Sequence, residues 1–273
     1  MTGGAAEVLQ FVGVPGAGLN AAMGQGAISI GPAFAVVLAA LVVIAATATA
    51  LGRLGVSRAM VTASLRAVLQ LGVVSLLIAG VLRSWWLTAL FIALMLAVAV
   101  GTSARRVSTL RLGWPVAAPI AAGALPVGAG IIAAGATPWQ TVAVLPIAGI
   151  LIGGAMTATS LAGRRALDEL RARHGEYEAA LALGFLPRDA ALEVIRPSGG
   201  RALVPALDQT RTVGLVTLPG AFVGVLLGGG SAVQAGATQV LVLVALLAVE
   251  AIAVTVTVEL VASQRILSAV PAR

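Results

Sequence analysis

The sequence predicts an all-α polytopic membrane protein of about seven transmembrane helices, N-terminus outside and C-terminus cytoplasmic. Three observations carry that expectation. Of 273 residues, 59% are hydrophobic and only 10% charged, whereas a soluble domain carries about 25% charged residues, and the mean hydropathy is +1.05. The apolar residues come in unbroken runs near the roughly 20 residues that cross a bilayer as a helix, without the alternation of a membrane β-barrel. Arginine collects on alternate sides of those runs.

In order, the runs are Gly31–Leu51, Ala67–Val81, Trp85–Thr102, Val116–Ala134, Thr141–Ala162, Val213–Leu227 and Gln239–Leu260. Arg53, Arg58 and Arg66 follow the first, Arg105, Arg106 and Arg111 the third, Arg164 and Arg165 the fifth, and Arg265 and Arg273 the last. Arg83 alone falls on the other side, and the connections near Thr137 and Ser231 carry no charge, so the positive-inside rule sets the orientation. Trp85, Trp86, Trp114 and Trp139 lie at run ends, as interfacial anchors do. The second run is short, and Ser57–Arg66 ahead of it reads as an interfacial amphipathic segment. Residues 1–30 carry Glu7 and no basic residue, so they lack the positive start of a signal peptide and read as a retained extracytoplasmic segment. Residues 31–273 then form one transmembrane domain in the inner or plasma membrane.

The net charge of +7 comes from arginines spread between the runs without interleaved aromatics, a topology signal and not a nucleic-acid surface. There is no lysine, so neither a P-loop phosphate contact nor a Schiff base exists here, and the chain is expected to bind no cofactor itself. The lack of cysteine removes disulfides, thiolate metal sites and thiol nucleophiles. No clustered histidines or paired carboxylates mark a membrane face, which argues against a membrane-embedded enzyme.

One long polar region, 163–212, interrupts the apolar pattern. Arg164 to Arg173 mixes acids with arginines at helical spacing and should extend the fifth span into water. Breaks are expected at Gly175 and, more strongly, at Pro197-Ser198-Gly199-Gly200. Between them a short helix, a turn at Gly184 and a second short helix form a knob. One reading is an ordinary amphipathic hairpin. The other is a coupling element that seats in a partner's cleft: Ala179, Ala180 and Gly184 permit close approach, and Glu178 and Arg188 supply charged contacts at the rim.

This stretch resembles the EAA loop of ABC importer permeases, whose pattern is EAA, three residues, Gly, nine residues, then I-x-L-P. Glu178, Ala179, Ala180, Gly184 and Pro197 fall on that spacing, with Val194 and Arg196 at the Ile and Leu positions. A longer resemblance is to iron-export ABC permeases of the FetB type, which include plant aluminium-tolerance permeases. It is carried by Leu145–Gly149, Gly154-Ala155-Met156, Glu178–Gly184 and Arg201–Gly220. The resemblance implies a homodimeric permease paired with two cytoplasmic ABC ATPase subunits that hold the ATP–Mg, and export of a metal ion or metal-related solute. Iron is implied by the resemblance alone, because within the runs only Met95, Met156, Glu250 and neutral groups such as Gln70 offer ligands. Direction stays open, since EAA loops are typical of importers.

Within the membrane, Pro146 and Pro219-Gly220 break spans where freed carbonyls line a pathway or act as a hinge, and Pro126 weakens the fourth; static kinks are the alternative. Gly149-x-x-x-Gly153, Gly220-x-x-x-Gly224 and Gly224-x-x-x-Gly228 offer faces for close packing, within the chain or across a dimer. Glu250 falls midway along the last run, where a charge costs at least ~2.5 kcal/mol. It reads either as a substrate or proton contact or as a hydrogen-bonded structural group, and as a proton site it would suit an ion-coupled secondary transporter. Glu259 is expected to meet interfacial water or an arginine. Asp208, Arg211 and Arg201 read as ion pairs holding the polar region to a span, or as a gate. His174 reads as a solvated helix residue.

Overall fold

The structure, a computed structural model, describes residues 31–109 and 113–266. The expected N-terminal segment and the topology charges Arg111 and Arg273 lie outside the described residues. Every regular element among the described residues is helical, apart from an isolated bridge between Val213 and Thr217. The chain divides into two compact units, one of residues 31–79 and 224–230, the other of residues 80–223 and 231–266.

In the first unit, α1 (Pro32–Leu51) opens on a proline whose missing N–H costs nothing in a first turn. It ends at Gly52, and the chain turns through Gly55 at φ 71° into α2 (Ser57–Val81). Thr49 Oγ1 donates to Ser57 Oγ at 3.1 Å across that turn. Neither helix has a buried residue, which suits helices whose solvent is lipid. Ser57–Arg66 is not a separate interfacial element: it is the start of a continuous 25-residue helix, because nothing before Gly72 interrupts helical geometry.

The second unit contains α3 (Trp85–Val107), a 3₁₀ turn (Trp114–Val116), α4 (Ala117–Ala133), α5 (Thr141–Ala172), α6 (His174–Ala182), α7 (Pro187–Ala202), α8 (Val204–Thr212) and α10 (Ala232–Ala262). A short helix, α9 (Gly220–Leu227), precedes α10. Trp85 stacks on Trp139 at 4.7 Å, tying the start of α3 to the entry of α5.

α5 and α10 form the centre, with α3, α4 and α7 packed around them. α5 presents Leu151, Ala155, Ala158, Ala162 and Ala166 at three- and four-residue spacing, all buried. Without a hydrophobic drive between helices in lipid, small residues such as these permit the close backbone approach on which packing depends. Glycines complete the fit. A Cβ on Gly163 would meet Val107 and Thr257, one on Gly149 would lie 2.9 Å from Met95, and one on Gly123 would lie 2.7 Å from the carbonyl oxygen of Val249, so α4 and α10 touch through backbone. Of the glycine pairs read from the sequence, Gly149 therefore packs inside the chain, while Gly153, Gly220 and Gly224 have open space beside them. Ser103 Oγ and Ser160 Oγ hydrogen-bond at 3.0 Å, Ser160 accepting because its own hydrogen goes to the Met156 carbonyl, and the pair joins α3 to α5; such interhelical bonds contribute about 0.6 kcal/mol.

These contacts also fix direction. Along α3 and α5 the neighbours advance together, Met95 with Gly149, Ser103 with Ser160, Val107 with Gly163. Along α5 and α10, Gly154 faces Leu246 and Glu250, and Gly163 faces Thr257. The two central helices are therefore parallel, and the chain between them must return across the same thickness.

Val213–Leu227, expected as a continuous sixth span, makes that return in pieces. Among the described residues six helices are long and apolar enough to cross a membrane, and this stretch is not one of them. Its helix covers only 8 residues, about 12 Å at 1.5 Å per residue against a core of about 30 Å. Gly214, at φ 81°, donates its N–H to the Thr217 carbonyl at 2.9 Å, and Pro219 follows without an N–H, so Val213–Pro219 is a turn and not a helix.

Gly123→Ala is expected to force α4 away from α10 and destabilise the fold by ~1–3 kcal/mol, read as a lowered melting temperature in detergent. An unchanged melting temperature would contradict backbone contact between the two helices.

Candidate functional site

Beyond Gly163, α5 continues as a polar helix with ion pairs Arg171–Asp168 at 3.2 Å and Arg173–Glu169 at 3.6 Å. The chain breaks at Arg173 (φ −113°, ψ 33°), and Gly175, expected as the break, lies inside α6. Arg173 causes the reversal to hold: its guanidinium hydrogen-bonds both oxygens of Glu176 and reaches the Val194 carbonyl of α7 at 3.3 Å. Those bonds keep the Glu176 carboxyl below its usual range.

α6 has no buried residue. Glu178 and Ala179 are exposed, Ala180 is half-buried, and Glu178 lies 3.4 Å from His174, itself an exposed helix residue. The helix ends at Leu183, and Gly184 takes φ 92°, a conformation that side-chain-bearing residues rarely adopt. Leu183 (81%), Phe185 (48%) and Leu186 (68%) stand exposed around it, an apolar tip that nothing among the described residues covers.

Pro187 opens α7, whose Ala190, Ala191, Leu192, Val194, Ile195, Ser198, Gly199 and Ala202 are buried. α7 is thus wedged between α5 and α10 while carrying the exposed tip. The break expected at Pro197-Ser198-Gly199-Gly200 does not occur, since α7 runs through it. Pro197 points its ring outward, Ser198 Oγ donates to the Ile195 carbonyl at 2.7 Å, and Gly199 lies where a Cβ would be 3.0 Å from Val258 and 3.5 Å from Val254. Tertiary packing of one face outweighs the breaker residues on it.

Arg188, read as a rim charge, forms a two-pronged pair with Glu259 of α10, Nε to Oε1 at 2.5 Å and Nη2 to Oε2 at 2.8 Å, and also meets Asp189 at 2.9 Å. Glu259 raises the Arg188 guanidinium above its ordinary range by hydrogen bonding and charge attraction. Arg201 does not join Asp208 and Arg211. It binds Glu169 of α5 at 2.8 Å, and its carbonyl accepts from Arg165, whereas Asp208 and Arg211 pair at 3.6 Å within exposed α8. α7 is therefore pinned at its start to α10 and at its end to α5.

Pro146 and Pro126 sit inside continuous helices, so neither interrupts a span. Met156 is half-buried against the core, its carbonyl accepting from Ser160 Oγ at 2.7 Å. Pro219-Gly220 alone marks a real discontinuity. There Gln239 of α10, the polar residue at the start of the last apolar run, accepts the N–H of Phe222 at 3.2 Å and satisfies an orphan donor of α9. Glu250 is half-buried, its carboxylate 3.1 Å from where a Cβ on Gly154 would stand. No group of three His, Cys, Asp or Glu side chains stands together as a metal centre among the described residues.

The Uncharacterised protein family (UPF0014) matches residues 33–266, the whole of the arrangement just described. This chain belongs to UPF0014. The rice (Oryza sativa subsp. japonica) UPF0014 membrane protein STAR2 is 34% identical over 196 residues, 70% of this chain and 68% of that one. Protein ALUMINUM SENSITIVE 3 of Arabidopsis thaliana is 40% identical over 99 residues, 36% of each chain. The probable iron export permease protein FetB of Escherichia coli is 37% identical over 128 residues, 44% of this chain and 48% of that one. No solved structure matches the chain. The resemblance to FetB-type and plant aluminium-tolerance proteins read from Leu145–Gly220 is borne out, and UPF0014 membership extends it over every described helix.

In this UPF0014 chain Pro197 leaves the Glu193 carbonyl without its helical donor. Pro197→Ala is expected to restore that bond and slow amide exchange across 194–201 several-fold; exchange at the parental rate would show that α7 is already limited by its ends.

Proposed function

We propose that the chain is the membrane-spanning permease subunit of an ABC transporter, energised by a separate cytoplasmic ATPase that docks on the α6–α7 tip. The observation that carries this reading is mechanical. An exposed apolar tip, Leu183, Phe185 and Leu186, is mounted on a helix buried between the two central membrane helices. A load applied to the tip has nowhere to go except into α5 and α10. The EAA-like residues Glu178, Ala179, Ala180 and Gly184 line that tip, with Gly184 supplying its reversal. Two permeases and two ATPases make up the assembly, in the cell membrane with the Arg164–Arg173 end in the cytoplasm. ATP–Mg resides in the ATPase, and this chain binds no cofactor. A relative named a probable iron export permease supports a metal cation as cargo and export as direction.

The interrupted crossing supplies the pathway. Non-helical backbone at membrane depth is tolerated only where protein covers it or water reaches it, and discontinuous helices mark the binding regions of many transporters. Leu215, Val216 and Leu218 are exposed on this protomer, and a second copy covers them in the homodimer. Drive therefore enters through α7 and reaches α10 by the Arg188–Glu259 pair and α5 by Arg201–Glu169.

The test begins by isolating the permease with its nucleotide-binding partner. Phe185→Asp with Leu186→Asp, or Gly184→Trp, is expected to abolish stimulation of ATP hydrolysis while the permease stays inserted and monodisperse. Arg188→Glu and Glu259→Arg singly are expected to leave the ATPase bound and uncouple hydrolysis from transport, and the exchanged pair to restore most of it. Full transport by the purified chain in liposomes without nucleotide would overturn the proposal in favour of an ion-coupled carrier.

A further inference from the structure

The contact between α7 and α10 leaves a groove beside it. At Gly199 the two helices meet, a Cβ there lying 3.0 Å from Val258, whereas a Cβ on Gly200 would have nothing within 4 Å among the described residues. Gly200 is the gap in a row on α7 that runs Leu192, Arg196, Gly200, Leu203 at three- and four-residue spacing. The facing wall on α10 is Val254, Thr255 and Val258, with Glu259 at its polar end. The space is mostly apolar, open on its outer side, and about 330 Å³ in volume.

Its depth follows from α5. Gly163 faces Thr257, and at the next residue, Arg164, α5 turns polar; Val107, which also faces Gly163, follows Arg105 and Arg106 at the end of α3. The groove therefore straddles the boundary between apolar and charged levels, with Val254 on the lipid side of Thr257 and Glu259 on the polar side. Outward-facing space at that depth has the headgroup and upper acyl region of the bilayer as its solvent.

Charge selects the lipid. Arg196 is exposed on the groove wall and forms no hydrogen bond or salt bridge among the described residues. At longer range it attracts Glu259, whose two oxygens are already held by Arg188. An arginine with idle donors above an apolar trough matches a phosphate with acyl chains beneath it, and basic positions between membrane helices hold anionic headgroups in this way. We infer that the groove between α7 and α10 is a binding site for one anionic phospholipid, its phosphate on Arg196 and its chains leaving over Val258 and Val254. A lipid seated there braces α7 against α10 beside the Arg188–Glu259 pair. The inference rests on the membrane fold and not on the ATPase reading.

The test uses the full-length protein in detergent, titrated with phosphatidylglycerol or with phosphatidylcholine of the same chains and read by native mass spectrometry. Phosphatidylglycerol is expected to be retained at one per chain under activation that strips phosphatidylcholine. Arg196→Gln is expected to weaken it about fivefold, and Arg196→Lys to keep most of the preference. Gly200→Leu fills the groove and should release the lipid, while the melting temperature without lipid holds or rises because glycine is the poorer helix former. Equal retention of the two lipids by the parent chain would overturn the inference, as would parental phosphatidylglycerol affinity in either Arg196→Gln or a folded Gly200→Leu. Competition by free glycerol 3-phosphate as strong as by the lipid would make this a soluble-phosphate site instead, and loss of a dimer in Gly200→Leu with lipid binding unchanged would give the groove to a second copy.

Discussion

The close approach of α5 to α10 is the constraint from which the rest of the structure follows. In lipid two helices gain nothing by hiding apolar surface from each other, so they stay together only where backbones come near enough for dense contact. The alanines of α5 and its Gly154 and Gly163 provide that nearness. A larger residue at these positions would push out α10 together with everything packed on it: α4 at Gly123, α7 at Gly199 and the pair Arg188–Glu259.

The same pairing sets the topology. Parallel neighbours cannot be joined by a short turn, so the chain between them needs both a polar excursion and a return. The excursion became α6, α7 and α8, and the return became the broken passage Val213–Leu227 that ends in α9. α7 is then the one element that belongs to both regions: its buried face is apolar and continuous with the membrane core, and its ends carry Arg188 and Arg201, each fastened to a different central helix. Exposed charge pairs contribute little to stability, so their value here lies in fixing the place of α7 against the two central helices.

The all-α class, the long apolar helices and the tip at Gly184 were legible because each rests on a local signal: run length, arginine placement, or a glycine at a forced reversal. Errors arose where local signals met tertiary packing. Pro197 with Gly199-Gly200 reads as a helix end in isolation, yet Gly199 is the residue that lets α7 lie against Val254 and Val258. Pro146, read as a break or a static kink, and Pro126, read as a weakening, both lie inside helices that run through them. Val213–Leu227 is apolar enough for a span, and hydropathy does not register that Gly214 and Pro219-Gly220 deny it helical hydrogen bonds. The partners of Arg188 and Arg201 were invisible for another reason: they sit 71 and 32 residues away in sequence, and charge alone does not say which acid of ten is reached.

The bond from Phe222 to Gln239 bears on how the protein is made. Eight helical residues followed by three glycines are too brief a stretch to be inserted on their own merit, and the side chain that completes them belongs to the following helix. Synthesis must therefore deliver α10 to the bilayer before α9 has a settled place.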